Sequence, residues 1–229
     1  MNSEDIYAGQ EIVARMIEDG DRSFRLLGCE WQLMSGVFSP VYTYGTQFFT
    51  ENIPFPVGGS FLEVGCGAGV TSVHAALAGC KSVTALDLTE EAVENTLINA
   101  RRHGAGSLDA RVSDVFDSLR ADENYDLVFW NVPYTLVPDS YEHSVNLTRS
   151  VFDAGYASCR TYMKGVRNFL SADGRAMIGF GSVGDRSELE SIAGECGWRI
   201  QHLASGRGEP DAEIEHYLLE LVDLNKNQD

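Results

Sequence analysis

From about residue 60 onward, short apolar runs alternate with longer stretches in which apolar residues recur every three to four positions. The first pattern is typical of buried strands and the second of amphipathic helices. The predicted strands are 60–64, 82–86, 110–112, 127–130 and 175–179, and the predicted helices are 70–78, 90–103, 148–170 and 186–196. This alternation predicts an α/β fold whose mostly parallel sheet is covered by helices on both faces.

The two ends of the chain have different patterns. Apolar residues at helical spacing over 5–34, interrupted by Gly20, predict two short lead-in helices. Near the other end, 198–204 and 213–222 both have the pattern of strands with no helix between them, which predicts an antiparallel hairpin at the sheet edge. We therefore expect a helical lead-in over 1–35, one α/β domain over 36–224 and a disordered tail over 225–229.

Composition limits the classes of protein to which the chain can belong. It has 229 residues, enough for one large or at most two small domains, and 34 acidic against 17 basic side chains give a net charge of −17. Broad binding to nucleic acid needs clustered Lys and Arg facing phosphates, so this charge argues against it.

Cysteine spacing and the N-terminal sequence indicate the compartment. The five cysteines are widely spaced without a CxxC pair, which predicts reduced thiols and no disulfide framework. No His, Cys or Asp cluster has metal-ligand spacing, so we predict no metal site. The N-terminus lacks the basic start and apolar core of a signal peptide, and no apolar run reaches the ~20 residues of a membrane helix. We therefore expect a soluble, cytoplasmic protein.

A glycine-rich segment between the first predicted strand and helix carries the first candidate chemistry. Glycines at 65, 67 and 69 form a GxGxG loop, with Glu63 just before it and Asp87 at the end of the next strand. Glycines allow a tight turn and close approach of a ligand to the backbone, and a carboxylate at the second strand end can accept both hydroxyls of a ribose. A dinucleotide site would favour GxGxxG, and a turn without a ligand is the simpler alternative.

Taken together, these motifs resemble a known family. ExGxGxG followed by an acid after the second strand is similar to the S-adenosyl-L-methionine (SAM) site of class I methyltransferases. The segments Ser113-Asp114-Val115-Phe116 and Asn131-Val132-Pro133-Tyr134 resemble its adenine-binding segment and its Asn-Pro-Pro-Tyr signature. Residues 36–39 and 45–46 resemble the lead-in of the branch with protein-glutamine N5- and ribosomal-RNA guanine N2-methyltransferases. The resemblance runs from about residue 36 to 180 and implies a Rossmann-like seven-stranded sheet with the methyltransferase domain over 36–224.

The resemblance also implies which residues bind the cofactor. Glu63 and the loop backbone would hold the methionine end, Asp87 the ribose hydroxyls and Asp114 the adenine amine, with Phe116 or Leu88 packed on the ring. A solvated loop carboxylate is the alternative for Asp114. The complete set is Glu63, Gly65, Cys66, Gly67, Gly69, Asp87, Leu88, Asp114, Val115 and Asn131.

Asn131, Pro133 and Tyr134 are the catalytic residues that the resemblance implies. Asn131 and the carbonyl after it would accept from a planar acceptor nitrogen, and Tyr134 would stack on the acceptor. Val132 replaces the first proline of the family signature, which puts the identity of the acceptor in doubt, and helix capping is the alternative role for Asn131. Glu142 and His143 lie on the following loop and are further candidates for binding the substrate.

The predicted function is SAM-dependent methylation of a nitrogen in a small metabolite, namely an amino acid, amine or guanidine. Asp139, Glu142 and the acidic composition favour a cationic acceptor, and residues 1–35 are short for the helical domain of the protein-glutamine enzymes. The alternatives are a protein side chain, or RNA guanine if a separate subunit binds the RNA. A non-catalytic SAM-binding subunit and a dinucleotide-dependent oxidoreductase are less favoured, the first by the intact signature residues and the second by the GxGxG spacing.

Overall fold

The computed structural model describes residues 3–208 and 214–226. The strands are β1 Arg22–Leu26, β2 Cys29–Leu33, β3 Ser60–Val64, β4 Ser82–Asp87, β5 Leu108–Val112, β6 Tyr125–Asn131, β7 Thr135–Val137, β8 Phe152–Ala154, β9 Leu170–Gly181, β10 Trp198–Arg207 and β11 Glu215–Asp223. The α-helices are α1 Ser3–Asp19, α2 Gly45–Asn52, α3 Val70–Leu77, α4 Glu90–His103, α5 Ala157–Gly165 and α6 Arg186–Glu195, and short 3₁₀ helices span Asn146–Ser150 and Val166–Phe169. None of these helices is long and apolar enough to span a membrane.

Seven strands form one central sheet in the order β10-β11-β9-β6-β3-β4-β5. The five strands from β9 to β5 run parallel, and β11 pairs antiparallel with both β9 and β10. The predicted fold, a mostly parallel sheet with an antiparallel C-terminal hairpin, is therefore confirmed. The carboxyl ends of β3, β4, β5 and β6 lie along one edge, where ligands of such sheets bind.

Both faces of the sheet are covered by helices, as the alternation of strands and helices predicted. Side chains alternate along β6, so that Val128 and Trp130 pack on the face covered by α5 and α6, while Leu127 and Phe129 pack on the face covered by α2 and α3. Two helices begin at capping side chains: Thr89 accepts from the backbone of α4, and Asp185 from that of α6. These caps explain why both helices begin where the sequence predicted.

The second predicted lead-in helix is wrong, because the chain forms the antiparallel hairpin β1–β2 there. Its turn consists of Leu27 and Gly28, both with positive φ (53° and 73°), the geometry that two-residue hairpin turns need. Burial alternates along both strands, and Trp31 is fully buried against α3 and α4. The segment therefore has strand periodicity, whereas Phe24, Leu26 and Leu27 alone had indicated helical spacing.

The predicted helix over 148–170 is also wrong in its first part. The chain there forms a 3₁₀ helix, then β8 beside β7, and only from Ala157 the helix α5. Gly155 and Tyr156 have φ of 56° and 50°, so regular helical backbone cannot run through this point. Because the chain pairs as β7 and β8 before α5 begins, Asn146–Ser150 lies at the sheet edge that carries the glycine loop.

At the C-terminus, the first two residues of the segment expected to be a tail are described. Asn225 and Lys226 lie in a turn after β11, where the Asn225 N–H donates to Asp223 and the Lys226 ammonium to the carbonyl of Ala172. The rest of the predicted tail, 227–229, and the hairpin loop 209–213 lie outside the described residues. All five cysteines lie within the described residues and are unpaired.

Candidate active site

The glycine loop connects the end of β3 to the start of α3 through three glycines with positive φ. Gly65, Gly67 and Gly69 have φ of 67°, 53° and 79°, a region that side-chain-bearing residues rarely adopt. A Cβ on Gly67 would meet open space, whereas one on Gly69 would lie 2.8 Å from the hydroxyl of Thr96. The loop thus exposes its backbone at Gly67 and packs tightly at Gly69.

Glu63 lies directly below this loop and is buried, with 4% of its surface exposed. The hydroxyl of Ser72 in α3 donates a hydrogen bond to its carboxyl group. Burial raises the pKa of Glu63 to about 8, so this carboxyl group holds its proton at neutral pH. The hydrogen bond from Ser72 ties β3 to α3, and Glu63 lies on the wall of the cavity.

Asp87, at the carboxyl end of β4, faces the glycine loop. One of its carboxylate oxygens accepts from the Gly67 N–H at 2.9 Å, and the other accepts from the Thr89 N–H at 3.3 Å. Burial raises the pKa of Asp87, and hydrogen bonds from the backbone oppose that rise. On the adjacent strand end, Asp114 is exposed and Val115 is buried with a φ of 48°.

The Asn131–Tyr134 segment begins at the carboxyl end of β6, next to the loop. The Val132 N–H donates to the carbonyl of Gly179 at 3.3 Å, so this residue continues the pairing between β6 and β9. The Tyr134 hydroxyl donates to the side-chain oxygen of Asn131, and the Tyr134 ring packs against Phe180 and His216. Burial raises the pKa of this hydroxyl, which therefore stays protonated.

One cavity of about 530 Å³ connects the glycine loop with Asn131. Nine of the ten predicted cofactor-binding residues line it, and Pro133 lines it as well. Gly69 lies just beneath the wall between Ala68 and Val70, which both line it. Tyr134 lies behind Asn131, outside the set of described residues that form the wall. The predicted stacking of Tyr134 on the acceptor stays a prediction.

Two further parts of the wall come from segments that the sequence did not identify. Val37, Phe38 and Pro40 form one side, and residues 146–150 with Arg149 form another. The sequence signal for the first was the resemblance of residues 36–39 to the lead-in of the family branch, which assigned no site residue there. For the second there was none, because 148–170 has the pattern of a helix.

Glu142 and His143 lie on the loop before Asn146 and outside the described cavity wall. His143 hydrogen bonds through Nδ1 to the Thr148 hydroxyl at 2.9 Å, and Glu142 is exposed. Partial burial, with the nearby Arg149 charge, lowers the pKa of His143. In this structure, His143 supports the 3₁₀ helix of the cavity wall.

The site is suited to SAM by its shape and its donors and acceptors. The open backbone at Gly67, the carboxylate of Asp87 beside it and the apolar wall at Leu88 and Val115 match the polar and planar parts of an adenosine-containing cofactor. Fold and site together define a Rossmann-like nucleotide-binding enzyme.

Residues 57–195 match the family described as methyltransferase domain, and the chain belongs to that family. It is a SAM-dependent methyltransferase, and its cofactor is SAM.

Solved structures with a similar fold extend over most of the chain. Ribosomal protein L11 methylase of Lactobacillus delbrueckii subsp. bulgaricus is 18% identical with a TM-score of 0.58, and 82% of each chain is covered. The 16S rRNA N2 G1207 methyltransferase RsmC of T. thermophilus, solved with AdoMet and guanosine, is 18% identical with a TM-score of 0.61, covering 89% of this chain and 50% of that one. Precorrin-6y C5,15-methyltransferase of Geobacter metallireducens GS-15 is 12% identical with a TM-score of 0.53, covering 77% and 86%.

Proposed function

We propose that this enzyme methylates a planar or amino nitrogen of a small metabolite, namely an amino acid, an amine or a guanidine. The observation that carries the proposal is that Asn131 and Pro133 line the same cavity as the glycine loop and Asp87. A group held at Asn131 therefore lies in the same cavity as the cofactor. When bound, SAM supplies an electrophilic methyl group on its sulfonium.

Asn131 provides hydrogen bonds that select and orient a nitrogen. Its side-chain oxygen accepts the Tyr134 hydroxyl with one lone pair, and the second lone pair remains for an N–H of the acceptor. A nitrogen held through its N–H keeps its own lone pair free for the methyl group. Holding the reacting atoms in line is the main contribution of such a site, since positioning replaces an encounter in solution.

The resemblance of Asn131–Tyr134 to the Asn-Pro-Pro-Tyr signature supports a place in the branch that methylates planar nitrogens. Within this proposal, 36–224 is the methyltransferase domain and the segment before it is a lead-in. That lead-in packs on the catalytic fold, because Val13 and Met16 of α1 contact Val137 and Leu147. It therefore helps to fix the segment that contains the cavity residues 146–150.

The shape and charge of the site support a small acceptor over a macromolecule. The cavity of about 530 Å³ lies between Val37–Pro40 on one side and Asn146–Ser150 on the other, and Asn131 lines it. With 34 acidic against 17 basic residues, the chain repels a phosphate backbone. RNA guanine and protein glutamine remain the alternatives, since RsmC and the L11 methylase act on such macromolecules by their names.

An acceptor panel tests the proposal. SAM turnover to S-adenosylhomocysteine is measured with amino acids, amines and guanidines, with glutamine-containing peptides and with rRNA fragments. We expect turnover with a small compound and a fall of about 10²–10³ in kcat for Asn131→Ala. Asn124→Ala is the control, because Asn124 is exposed and lies outside the described cavity wall.

The other possible outcomes of these assays distinguish the alternative functions. Turnover of peptides or RNA alone contradicts a small acceptor, as does sub-micromolar RNA binding by fluorescence anisotropy at ~150 mM salt. SAM binding without turnover of any compound supports the non-catalytic alternative. Full activity in Asn131→Ala would show that the acceptor binds elsewhere.

A further inference from the structure

Arg149 is the only Lys or Arg among the described residues that line the cavity. The other acidic groups of the wall are the carboxyl groups of Glu63 and Asp87, at the ends of β3 and β4, and of Asp114, which follows β5. A single guanidinium in a wall that otherwise carries acids has a specific effect on which ligands bind, because it attracts an anion at one point of the cavity.

Arg149 also has no carboxylate partner among the residues that the structure describes. Nine arginines of the described residues form ion pairs. Of the five that form none, which are Arg15, Arg25, Arg101, Arg149 and Arg199, only Arg149 lines the cavity. In a chain with a net charge of −17, carboxylates are abundant, so an unpaired guanidinium on a cavity wall is available to a ligand.

The backbone places Arg149 at the Asn131 end of the cavity. Thr135 follows the Asn131–Tyr134 segment, and its N–H donates to the carbonyl of Val151 at 3.1 Å. Val151 is therefore hydrogen bonded to the residue that follows Tyr134. Arg149 precedes Val151 by two residues. The 3₁₀ helix that contains Arg149 is fixed by the buried Leu147 and by the Thr148 hydroxyl, which donates to the carbonyl of Val145. The guanidinium therefore extends from a well-anchored segment of backbone.

We propose that the methyl acceptor carries an anionic group, a carboxylate or a phosphate, which Arg149 binds while Asn131 holds the nitrogen. This inference rests on the proposed function and narrows its substrate class to acceptors that are anionic at one end. A guanidinium donates two parallel hydrogen bonds to either oxyanion, which fixes orientation as well as charge. Asp139 and Glu142, which favoured a cationic acceptor, lie outside the described wall, so the charge that faces the acceptor is that of Arg149.

Matched pairs of compounds test this inference. Each pair shares the nitrogen and differs in the anion: amino acids against their carboxamides, and phosphoethanolamine against ethanolamine. Turnover is measured for wild type, for Arg149→Gln, which removes the charge, and for Arg149→Lys, which retains it. Arg186→Gln is the matched control, because Arg186 forms an exposed ion pair with Glu190 on α6. SAM affinity is measured for every variant by calorimetry.

We expect wild type to favour the anionic member of at least one pair by about 10- to 100-fold in kcat/KM, and Arg149→Gln to lose that preference. Arg149→Lys should restore part of it, SAM affinity should stay within about twofold, and Arg186→Gln should behave as wild type. The identity of the preferred pair distinguishes a carboxylate from a phosphate.

Two results would overturn the inference. Equal turnover of both members of every pair would show that no anion is recognised. A loss of SAM affinity in Arg149→Gln as large as the loss in turnover would assign the guanidinium to the cofactor. If no small compound is methylated although SAM binds, the proposed function itself fails, which is a different result from equal turnover within the pairs.

Discussion

The hydroxyl of Tyr134 donates a hydrogen bond to the side-chain oxygen of Asn131, three residues earlier in the chain. The bond fixes which face of the amide is turned toward the cavity. The Tyr134 ring packs against Phe180 and His216, which are not among the described residues that line the cavity. The structure thus places Tyr134 as a support for Asn131, in addition to the stacking role that the resemblance implies.

Tyr134→Phe should therefore lower kcat by about tenfold, since one net hydrogen bond contributes about 1 kcal/mol and the amide would lose its fixed orientation. SAM affinity should not change. Single-turnover methyl transfer and calorimetry measure the two quantities. Tyr125→Phe is the control, because that buried hydroxyl donates to Thr84 at 3.0 Å outside the described cavity wall. If both variants lower kcat equally, the Tyr134 hydroxyl has no specific role in methyl transfer.

Asp87→Ala should weaken SAM binding by about ten- to a hundredfold, because it removes a charged acceptor of ribose hydroxyls. Part of the loss will come from the glycine loop, whose Gly67 N–H donates to this carboxylate. Calorimetry on the folded variant measures it. Asp109→Ala, at an exposed carboxylate on the neighbouring strand β5, should bind SAM as wild type does. Unchanged affinity in Asp87→Ala would disprove the ribose assignment.

Asn99→Ala should lower the free energy of unfolding by about 3 kcal/mol, since it leaves buried backbone groups without partners. Its side chain accepts from the Gln32 N–H at 2.8 Å and donates to the carbonyls of Gln32 and Ala68 at 2.9 and 2.8 Å. These bonds join the β1–β2 hairpin to the glycine loop. Urea unfolding measures the change, and the exposed Asn124→Ala should stay within about 0.5 kcal/mol of wild type.

The contrast between Asn99 and the GxGxG loop shows what sequence reasoning found and what it missed. Strands β3 and β4 and helix α4 were predicted to within a residue, because buried apolar runs, a glycine loop and a capping Thr89 are all local signals. The asparagines that hold the β1–β2 hairpin act across more than sixty positions of sequence. No local pattern reveals such a partner, so a strand pair was predicted as a helix.

The same reason explains the outcome at the candidate site. Asp87 and Asn131 were identified because each follows a strand in a known motif. Arg149 was not identified, because its place on the wall depends on the pairing of β7 with β8 and on the positive φ of Gly155 and Tyr156.

Val132→Pro, which restores the proline of the family signature, should destabilise the fold. Proline has no N–H, so the bond to the Gly179 carbonyl at 3.3 Å would be lost at a position with 2% exposure. We expect a loss of about 1 kcal/mol or more in thermal or urea unfolding. Val132→Ala keeps the N–H but removes more side-chain volume than proline does. If Val132→Ala is the more destabilised of the two, the hydrogen bond is not what makes valine necessary.

His216 is a buried histidine on β11. It is 1% exposed among Tyr44, Phe48, Phe49 and Tyr134, and neither ring nitrogen has a hydrogen-bond partner in the described residues. Burial lowers its pKa from 6.5 to about 4, so the folded state keeps the ring neutral. The unfolded chain takes up a proton below about pH 6.5, and the folded chain does so only near pH 4.

Stability should therefore fall as the pH falls from about 6.5 to 4, and His216 alone should account for about 3 kcal/mol of that loss. His216→Phe removes the titrating group and fits the aromatic surroundings, so its free energy of unfolding should fall less over this interval. His202→Gln, at an exposed position on β10, should follow wild type. Urea unfolding at closely spaced pH values measures all three proteins. Because carboxyl groups titrate equally in each protein, the difference between His216→Phe and wild type isolates the histidine. Parallel curves for these two proteins would mean that the ring of His216 is protonated in the folded state as readily as in the unfolded one.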